Sequence, residues 1–384
     1  MKTNTLQIPS FLHEGEKSIE SLDSIMSKYE AKSVALITDK QLMNLGLCDQ
    51  AIEIIERKQI TLHVFDEVVP EPSVDDVLHI VNQVSPTSVD LILAIGGGST
   101  MDTAKLVSVL IKAKYTIYDL LNDASIAQKM VPTIMVPTTC GTGSEATCNA
   151  IVALPEENSK KGIVNGAFIP NEVILDVQLI AHLPRNIIAA TGVDALAHCV
   201  ECYTSNKATP LSNTYALAGA QLIFANIVKA YKDPQDLAAK RAMMLAAFYG
   251  GVAITGSGTT AVHALSYPLG GKFHIAHGVS NAILFTAVME FNRDACQTQL
   301  AQICDAIQPD MCQESEGAKS EFVVRAIASI VRETEIPVNL NDFGVKKSDL
   351  AFLVNAGFQQ QRLLVNNPKK LSVEDIQSIY QKVL

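Results

Sequence analysis

Four side chains of this sequence have the types and the spacing of a metal site: Asp194, His198, His263 and His277. Asp194 and His198 are four residues apart in TGVDALAHCVECY, so on a helix they lie on one face, one turn apart. His263 and His277 lie in the stretch AVHALSYPLGGKFHIAHGVSNA. One carboxylate and three imidazoles suit a divalent transition metal. A chain with 8 histidines offers many such combinations, so the set gains meaning only from its surroundings.

A glycine-rich turn upstream supplies those surroundings. In AIGGGSTMDTAK, three glycines (Gly96, Gly97 and Gly98) end an apolar run, and a helix is expected from Ser99. Glycines permit a close approach of the backbone to a phosphate and positive φ angles. The helix N-terminus then offers free N–H groups and partial positive charge to the anion. The turn is neither GxGxxG nor a P-loop, and a purely structural turn is the alternative interpretation.

A second loop follows the next predicted strand. PTTCGTGSE (137–145) carries Thr138, Thr139 and Thr142, which are expected to contact the same ligand. Two such loops at the carboxyl ends of adjacent strands are typical of ligand sites in open α/β sheets. Asp39 ends an earlier strand, where an acid binds an adenosine ribose and repels a 2′-phosphate, which favours NAD over NADP. The alternative is that Asp39 only caps the following segment.

The elements around these loops change character at about Pro184. Before it, strands alternate with helices, which predicts a parallel sheet with right-handed crossovers. The expected strands are 33–39, 61–68, 89–96, 133–139 and 172–176, with helices over 73–84 and from Ser99 and a hairpin from CNAIVAL and KGIVN. After it, every periodic segment is typical of a helix. We therefore predict an α/β nucleotide-binding domain (1–183) and an all-α domain (184–384), with metal and cofactor in the cleft between them.

Composition narrows the class of protein. The chain of 384 residues is too long for one core, and its net charge of −10 without a basic run argues against nucleic acid and membrane partners. Its 8 scattered cysteines, including the lone pair Cys199 and Cys202, are interpreted as structural thiols. No signal-peptide core is present, so a cytoplasmic location is expected. The uncharged stretch Ala242–Gly271 predicts a buried central helix followed by a loop that forms part of the site.

Taken together, these segments resemble the iron-containing (group III) alcohol dehydrogenases of the dehydroquinate synthase-like superfamily. The matching pieces run in order along nearly the whole chain: GGGSTMDTAK, PTTCGTGSEAT, TGVDALAHCVECYTS, HALSYPLGG and HGVSNAILF. The resemblance implies that Asp194, His198, His263 and His277 are the metal ligands. It places cofactor contacts at a further set of residues: Asp39, Gly96, Gly97, Gly98, Ser99, Asp102, Thr138, Thr139, Thr142 and Lys160, with Lys161 adjacent to the last.

The chain departs from the family at one position. Some members carry a further histidine four residues after the third ligand, proposed to relay a proton, and here that position is Tyr267. A phenol with an ordinary pKa near 10 is a poorer relay at neutral pH than an imidazole. Tyr267 is therefore either a catalytic residue or one that shapes the pocket, with the proton leaving through ribose hydroxyls and water. His274 is expected near the site but not as a ligand.

The resemblance implies a metal-dependent, NAD-linked oxidoreductase that interconverts a small primary alcohol and its aldehyde. The metal would act as a Lewis acid on the substrate oxygen, with Fe(II) favoured and Zn(II) as the alternative. Two alternative functions remain: a zinc-type polyol dehydrogenase of the same superfamily, and a non-catalytic NAD-binding sensor. A homodimer or a larger homo-oligomer is expected.

Overall fold

The structure is a computed structural model that describes residues 3–157 and 159–384. The chain divides into two compact units. One comprises Gln7–Pro155 and Lys160–His182. The other comprises Leu183–Leu384, joined by the residues up to Leu6 and the short segment Glu156–Ser159.

A six-stranded parallel sheet forms the centre of the first unit. Its strands are β1 Phe11–Glu14, β2 Ser33–Ile37, β3 Thr61–Phe65, β4 Leu91–Gly96, β5 Thr133–Pro137 and β8 Glu172–Leu175. Their spatial order across the sheet is β1, β8, β5, β4, β2 and β3. Two further strands pair with each other outside this sheet, β6 Asn149–Leu154 and β7 Ser159–Val164.

The central strands are mostly apolar because both faces of the sheet are covered. Along β2, Val34 and Leu36 pack into one hydrophobic core, whereas Ala35 and Ile37 pack into the other. This alternation follows from the two-residue repeat of a strand. All six residues of β4 are buried, so the glycine-rich turn that follows it begins from a strand that is fixed on both sides.

Helices flank this sheet. Their bounds are α1 Leu22–Lys28, α2 Lys40–Asn44, α3 Asp49–Arg57, α4 Val74–Val84, α5 Gly98–Leu110 and α6 Ile117–Asn122. Helix α4 begins at a capping box in which Ser73 and Asp76 bond each other's backbone N–H groups. The predicted strands are present but shorter by up to three residues, and β1, α1, α2, α3 and α6 were not predicted.

The second unit is helical. Its bounds are α7 Arg185–Thr204, α8 Pro210–Lys232, α9 Leu237–Ser257, α10 Ala261–Phe273, α11 His277–Asn292, α12 Gln297–Ile307, α13 Glu316–Glu333, α14 Leu350–Phe358, α15 Gln361–Leu364 and α16 Val373–Lys382. No strand occurs among the described residues after His182, so the all-α prediction for this part of the chain is confirmed.

Helix α9 is long and apolar enough to cross a membrane, but 67% of its most apolar window is buried inside the protein. It is therefore a buried core helix, as its sequence predicted. The expectation of a loop after it was wrong. Residues Ala261–Phe273 form α10 despite Pro268 within the helix. A proline is tolerated there when neighbouring groups satisfy the backbone that it frees.

Candidate active site

The glycine-rich turn joins β4 to α5. Gly97 is the N-cap of α5, and Gly98 is its first residue, so free N–H groups point out of this end. None of the three glycines has a positive φ angle, so that part of the expectation was wrong. Glycine is needed here because neighbouring atoms leave no room for a Cβ atom. A Cβ on Gly98 would lie 2.9 Å from Cγ2 of Thr142, and one on Gly96 would lie 2.4 Å from Oγ1 of Thr100.

The strand order places this turn at a point where ligands bind in such sheets. From β2 the chain passes to β3 on one side and then returns to β4 on the other. The loops after β2 and β4 therefore leave the sheet in opposite directions, and the crevice between them is a topological switch point. Asp39 follows β2 and Gly97 follows β4. The next loop is joined to the turn by a hydrogen bond from the N–H of Thr138 to the carbonyl of Gly96.

Asp102 makes its bonds within the protein. One carboxylate oxygen accepts from the hydroxyl of Ser144 and lies 3.4 Å from Nζ of Lys105, and the other accepts the backbone N–H of Ile151. Lys105 is fully buried and also donates to Ser144 and to Thr147. Asp102 thus fixes the second loop and β6 to α5, and it supports the nucleotide turn from behind.

Three other expected cofactor contacts already have protein partners. Oδ1 of Asp39 accepts the N–H of Leu42 and caps α2, which leaves its second oxygen outside this bond. The hydroxyl of Ser99 accepts the N–H of Glu71. Lys160 donates to the Glu71 carboxylate at 2.5 Å, whereas its neighbour Lys161 is exposed. The Lys160 ammonium group has two further donor hydrogens outside this bond.

The predicted metal ligands come from three helices of the second unit. Asp194 and His198 lie one turn apart on α7, His263 lies in the first turn of α10, and His277 is the first residue of α11. Three of them, Asp194, His263 and His277, bring one ligand atom each within 4.8 Å of one another. The rings of His198 and His263 stack with their centroids 4.6 Å apart.

The distances fit a transition metal. Around Oδ1 of Asp194, Nε2 of His263 lies at 3.4 Å, Nε2 of His198 at 3.6 Å and Nε2 of His277 at 3.7 Å. Four ligands at about 2.1 Å from a tetrahedral ion are about 3.4 Å apart. One carboxylate oxygen and three imidazole nitrogens are also the donors that iron and zinc accept. The residues present therefore fit a divalent metal.

Two polar residues beside the ligands were missed by the sequence analysis. Glu201 is fully buried and bonds Nδ1 of His263. Asn281, also fully buried, donates from Nδ2 to Oδ1 of Asp194 at 2.7 Å. Both had a signal in the sequence. Glu201 follows His198 by three residues and Asn281 follows His277 by four, so each shares a helix face with a ligand.

The electrostatics of the site agree with this arrangement. Burial alone would raise the pKa of Asp194, but the imidazoles of His198, His277 and His263 outweigh it and keep that pKa well below its usual range. Burial alone would lower the pKa of His263, but Glu201 and Asp194 together outweigh it and raise that pKa to about 9. The centre therefore holds an ionised carboxylate at neutral pH.

Tyr267 and His274 lie in the same part of the chain but differ in placement. Tyr267 is buried one turn after His263, and its ring centroid lies 6.1 Å from that of His277. His274 is exposed and ends α10 in the left-handed conformation, with φ 54°. The structure thus places Tyr267, and not His274, beside a ligand ring.

Comparison with known proteins covers nearly the whole chain. A family model described as iron-containing alcohol dehydrogenase matches residues 9–177, and one described as the C-terminal part of the Fe-containing alcohol dehydrogenase family matches residues 188–384. Long-chain-alcohol dehydrogenase 1 of Geobacillus thermodenitrificans is 35% identical, over 99% of this chain and 97% of the relative. NAD-dependent methanol dehydrogenase of Bacillus methanolicus is 28% identical, over 96% of this chain and 97% of the relative.

Solved structures agree with these matches. A 1,3-propanediol oxidoreductase has a TM-score of 0.95 and 27% identity, with all of both chains covered. The alcohol dehydrogenase of Oenococcus oeni has a TM-score of 0.94 and 26% identity, again over both whole chains. With the Asp/His/His cluster and both halves of the family matched in order, the chain belongs to the iron-containing alcohol dehydrogenases, which are NAD(P)-dependent oxidoreductases of alcohols and aldehydes.

Proposed function

We propose that this enzyme interconverts a small primary alcohol and its aldehyde, with NAD as the hydride carrier and Fe(II) as the metal. The observation that carries the proposal is the convergence of three imidazole nitrogens on one oxygen of Asp194. A protein that only bound a nucleotide would gain nothing from such a buried set, which argues against a sensor. His198, which lies 3.6 Å from Asp194, is proposed as the fourth ligand.

Each group of residues has a separate task in this proposal. When bound, the metal supplies Lewis acidity toward the substrate oxygen. Asp194 keeps a negative charge inside the site, and Asn281 holds that carboxylate through its amide. The turn Gly96–Ser99 and the loop with Thr138, Thr139 and Thr142 would orient the nicotinamide cofactor through its phosphates. Tyr267 would shape the space beside His277.

The choice of cofactor rests on the second oxygen of Asp39. Its first oxygen caps α2, so the carboxylate is held in one orientation at the switch point between β2 and β4. An acid in that position binds the ribose of NAD and repels the 2′-phosphate of NADP. The choice of iron over zinc rests on the family, because the same four donors accept either ion.

The substrate is the least constrained part. The names of the relatives range from methanol to long-chain alcohols, so chain length is treated as an open variable of the test. A zinc-type polyol dehydrogenase would share the ligand set, and polyols therefore belong in the same panel. A homo-oligomer remains a prediction that light scattering of the purified protein can check.

The test is an NADH absorbance assay on the metal-depleted enzyme after anaerobic reconstitution with Fe(II) or Zn(II). Primary alcohols of increasing length, their aldehydes and polyols are compared with both cofactors. We expect Fe(II)-dependent turnover of a primary alcohol that a chelator abolishes. Full turnover after chelation, or turnover of polyols alone, would contradict the proposal.

His277→Ala should lose metal and turnover while still binding NAD, and a His277→Ala protein with normal metal content would remove His277 from the ligand set.

A further inference from the structure

Glu201 is a buried carboxylate that no reaction step above uses. It lies on α7 three residues after His198 and is fully buried. Three donors converge on its two oxygens. Oε1 accepts the hydroxyl of Thr260 and, at 2.7 Å, the backbone N–H of Val262, and Oε2 bonds Nδ1 of His263. A buried carboxylate group whose side-chain hydrogen bonds all go to one short segment, Thr260–His263, has a defined orientation.

One of these donors cannot be reversed. The N–H of Val262 belongs to the first turn of α10, where it has no partner within the helix and can only donate. Thr260 is the N-cap residue of α10, yet its side chain makes no cap bond within the helix because it donates to Glu201. An anion at a helix N-terminus is favourable in itself. Oε1 is thereby fixed toward α10, and Oε2 must face His263.

A carboxylate oxygen can only accept, so Nδ1 of His263 must carry a proton. An imidazole that binds a metal is neutral and keeps one proton, so with that proton on Nδ1 the lone pair offered to the metal is on Nε2. Nε2 is the atom that lies 3.4 Å from Oδ1 of Asp194. We propose that Glu201 is a positioning residue that fixes His263 as the Nδ1–H tautomer and so directs the Nε2 lone pair to the metal. This inference rests on the proposed function, since it requires the metal centre.

Glu201→Gln tests the proposal because it changes the hydrogen-bond polarity and almost nothing else. The amide oxygen must take the place of Oε1, since an NH2 group there would face the N–H of Val262. The NH2 group then faces Nδ1 of His263, which must accept instead of donate. The imidazole proton moves to Nε2 and occupies the ligand lone pair. We expect metal affinity to fall 10- to 100-fold, the usual effect of losing such an outer partner.

The chain offers a matched control in the other unit. Glu172 on β8 is also fully buried and also bonds a histidine, His13, together with Lys28 and Tyr29. Glu172→Gln makes the same substitution in a similar setting, in the unit that does not carry the metal ligands. It is expected to lower thermal stability and to leave metal affinity within about twofold of the wild type, a limit set by the absence of shared partners.

The measurement is competition between each metal-depleted protein and a chromophoric chelator for Zn(II) and Co(II), with the thermal midpoint of each metal-free protein recorded alongside. Selective loss of affinity in Glu201→Gln supports the proposal. Wild-type affinity in Glu201→Gln overturns it, as does an equal loss in Glu172→Gln, which would indicate general destabilisation. A wild-type protein that binds neither ion would refute the proposed function instead.

A second measurement does not depend on the variant folding. Neutron diffraction from crystals of the zinc-loaded wild-type enzyme locates the exchangeable deuteron of His263. The proposal requires that deuteron on Nδ1 with Nε2 at the metal. A deuteron on Nε2, or a metal on Nδ1, would overturn it.

Discussion

One oxygen atom of Asp194 has three imidazole nitrogens around it, and this residue-scale fact could be anticipated from residue types and spacing. The resemblance to a family predicted four ligands, and three of them, Asp194, His263 and His277, form the metal-binding cluster of the structure. What the pattern did not give was the set of hydrogen bonds around them. Glu201 and Asn281 share helix faces with ligands, but a buried acid or amide at such a spacing has meaning only once its partners are known.

Asp39 carries the prediction on cofactor choice. Asp39→Gly should raise activity with NADP relative to NAD, because it removes the charge that repels the 2′-phosphate. It also removes the cap of α2, which by itself costs about 1 kcal/mol of stability. Asp39→Asn keeps the cap and removes only the charge. If the ratio of kcat/KM for the two cofactors is the same in both variants as in the wild type, Asp39 is not the selector.

Glu145 carries a prediction on pH. It is buried in the second nucleotide loop, and burial raises its pKa to about 7. Between its ordinary value near 4.3 and pH 7, the unfolded chain has released a proton that the folded protein retains, so folding stability falls as pH rises through this window. Glu145→Gln has no such loss. Urea unfolding should show that the stability of the variant relative to the wild type increases by about 2 to 3 kcal/mol between pH 5 and pH 8.

The same experiment has an outcome that would contradict this prediction. If the stability difference between Glu145→Gln and the wild type does not change between pH 5 and pH 8, the buried carboxyl group does not titrate in this window.

At the scale of elements, the length of each apolar residue pattern determined which helices and strands could be predicted. The long, strongly patterned segments, such as β4 and α7, were recognised. Short elements such as α2, with five residues and none of them buried, have too few apolar positions for a period to be visible. The region after α9 was predicted as a loop because it is rich in glycine, serine, threonine and histidine. Its residues 261–270 are all buried, and this tertiary packing outweighs the local preferences, so α10 forms.

The joint between β4 and α5 gives a prediction at this scale. Gly98→Ala places a methyl group 2.9 Å from Cγ2 of Thr142, so the turn and the second loop must move apart. We expect NAD affinity to fall at least about tenfold, as misplaced binding groups typically cause, with the metal content unchanged. Gly317→Ala in the first turn of α13 is the control, since nothing lies closer than 3.9 Å to its added carbon. Titration of NAD by calorimetry compares the two variants. Equal NAD affinities would show that the close contact between Gly98 and Thr142 does not determine NAD binding.

At the scale of the whole molecule, the metal cluster and the predicted cofactor contacts belong to different units of the chain. Asp194, His263 and His277 all lie in the helical unit, whereas the turn Gly96–Ser99 lies in the α/β unit. A ligand stabilises the state that it binds, by about 2.7 kcal/mol at a hundred times its Kd. Each ligand should therefore protect its own unit first.

Hydrogen exchange measured by mass spectrometry checks this expectation. Removal of metal with a chelator should speed exchange in α7, α10 and α11 and leave the central sheet near its original rate. Addition of NAD should slow exchange at the start of α5 and in the loop after β5. Metal removal that changed the exchange of the sheet as much as that of the helices would contradict the assignment of the metal to one unit.

The origin of the metal ligands in three separate helices has a consequence for how the enzyme matures. Residues 194, 263 and 277 are far apart in an unfolded chain and meet only after α7, α10 and α11 have packed. During synthesis the centre cannot exist until α11 has left the ribosome. Metal uptake is therefore a late event in biogenesis, and the ion that enters reflects the divalent metals present around the finished protein.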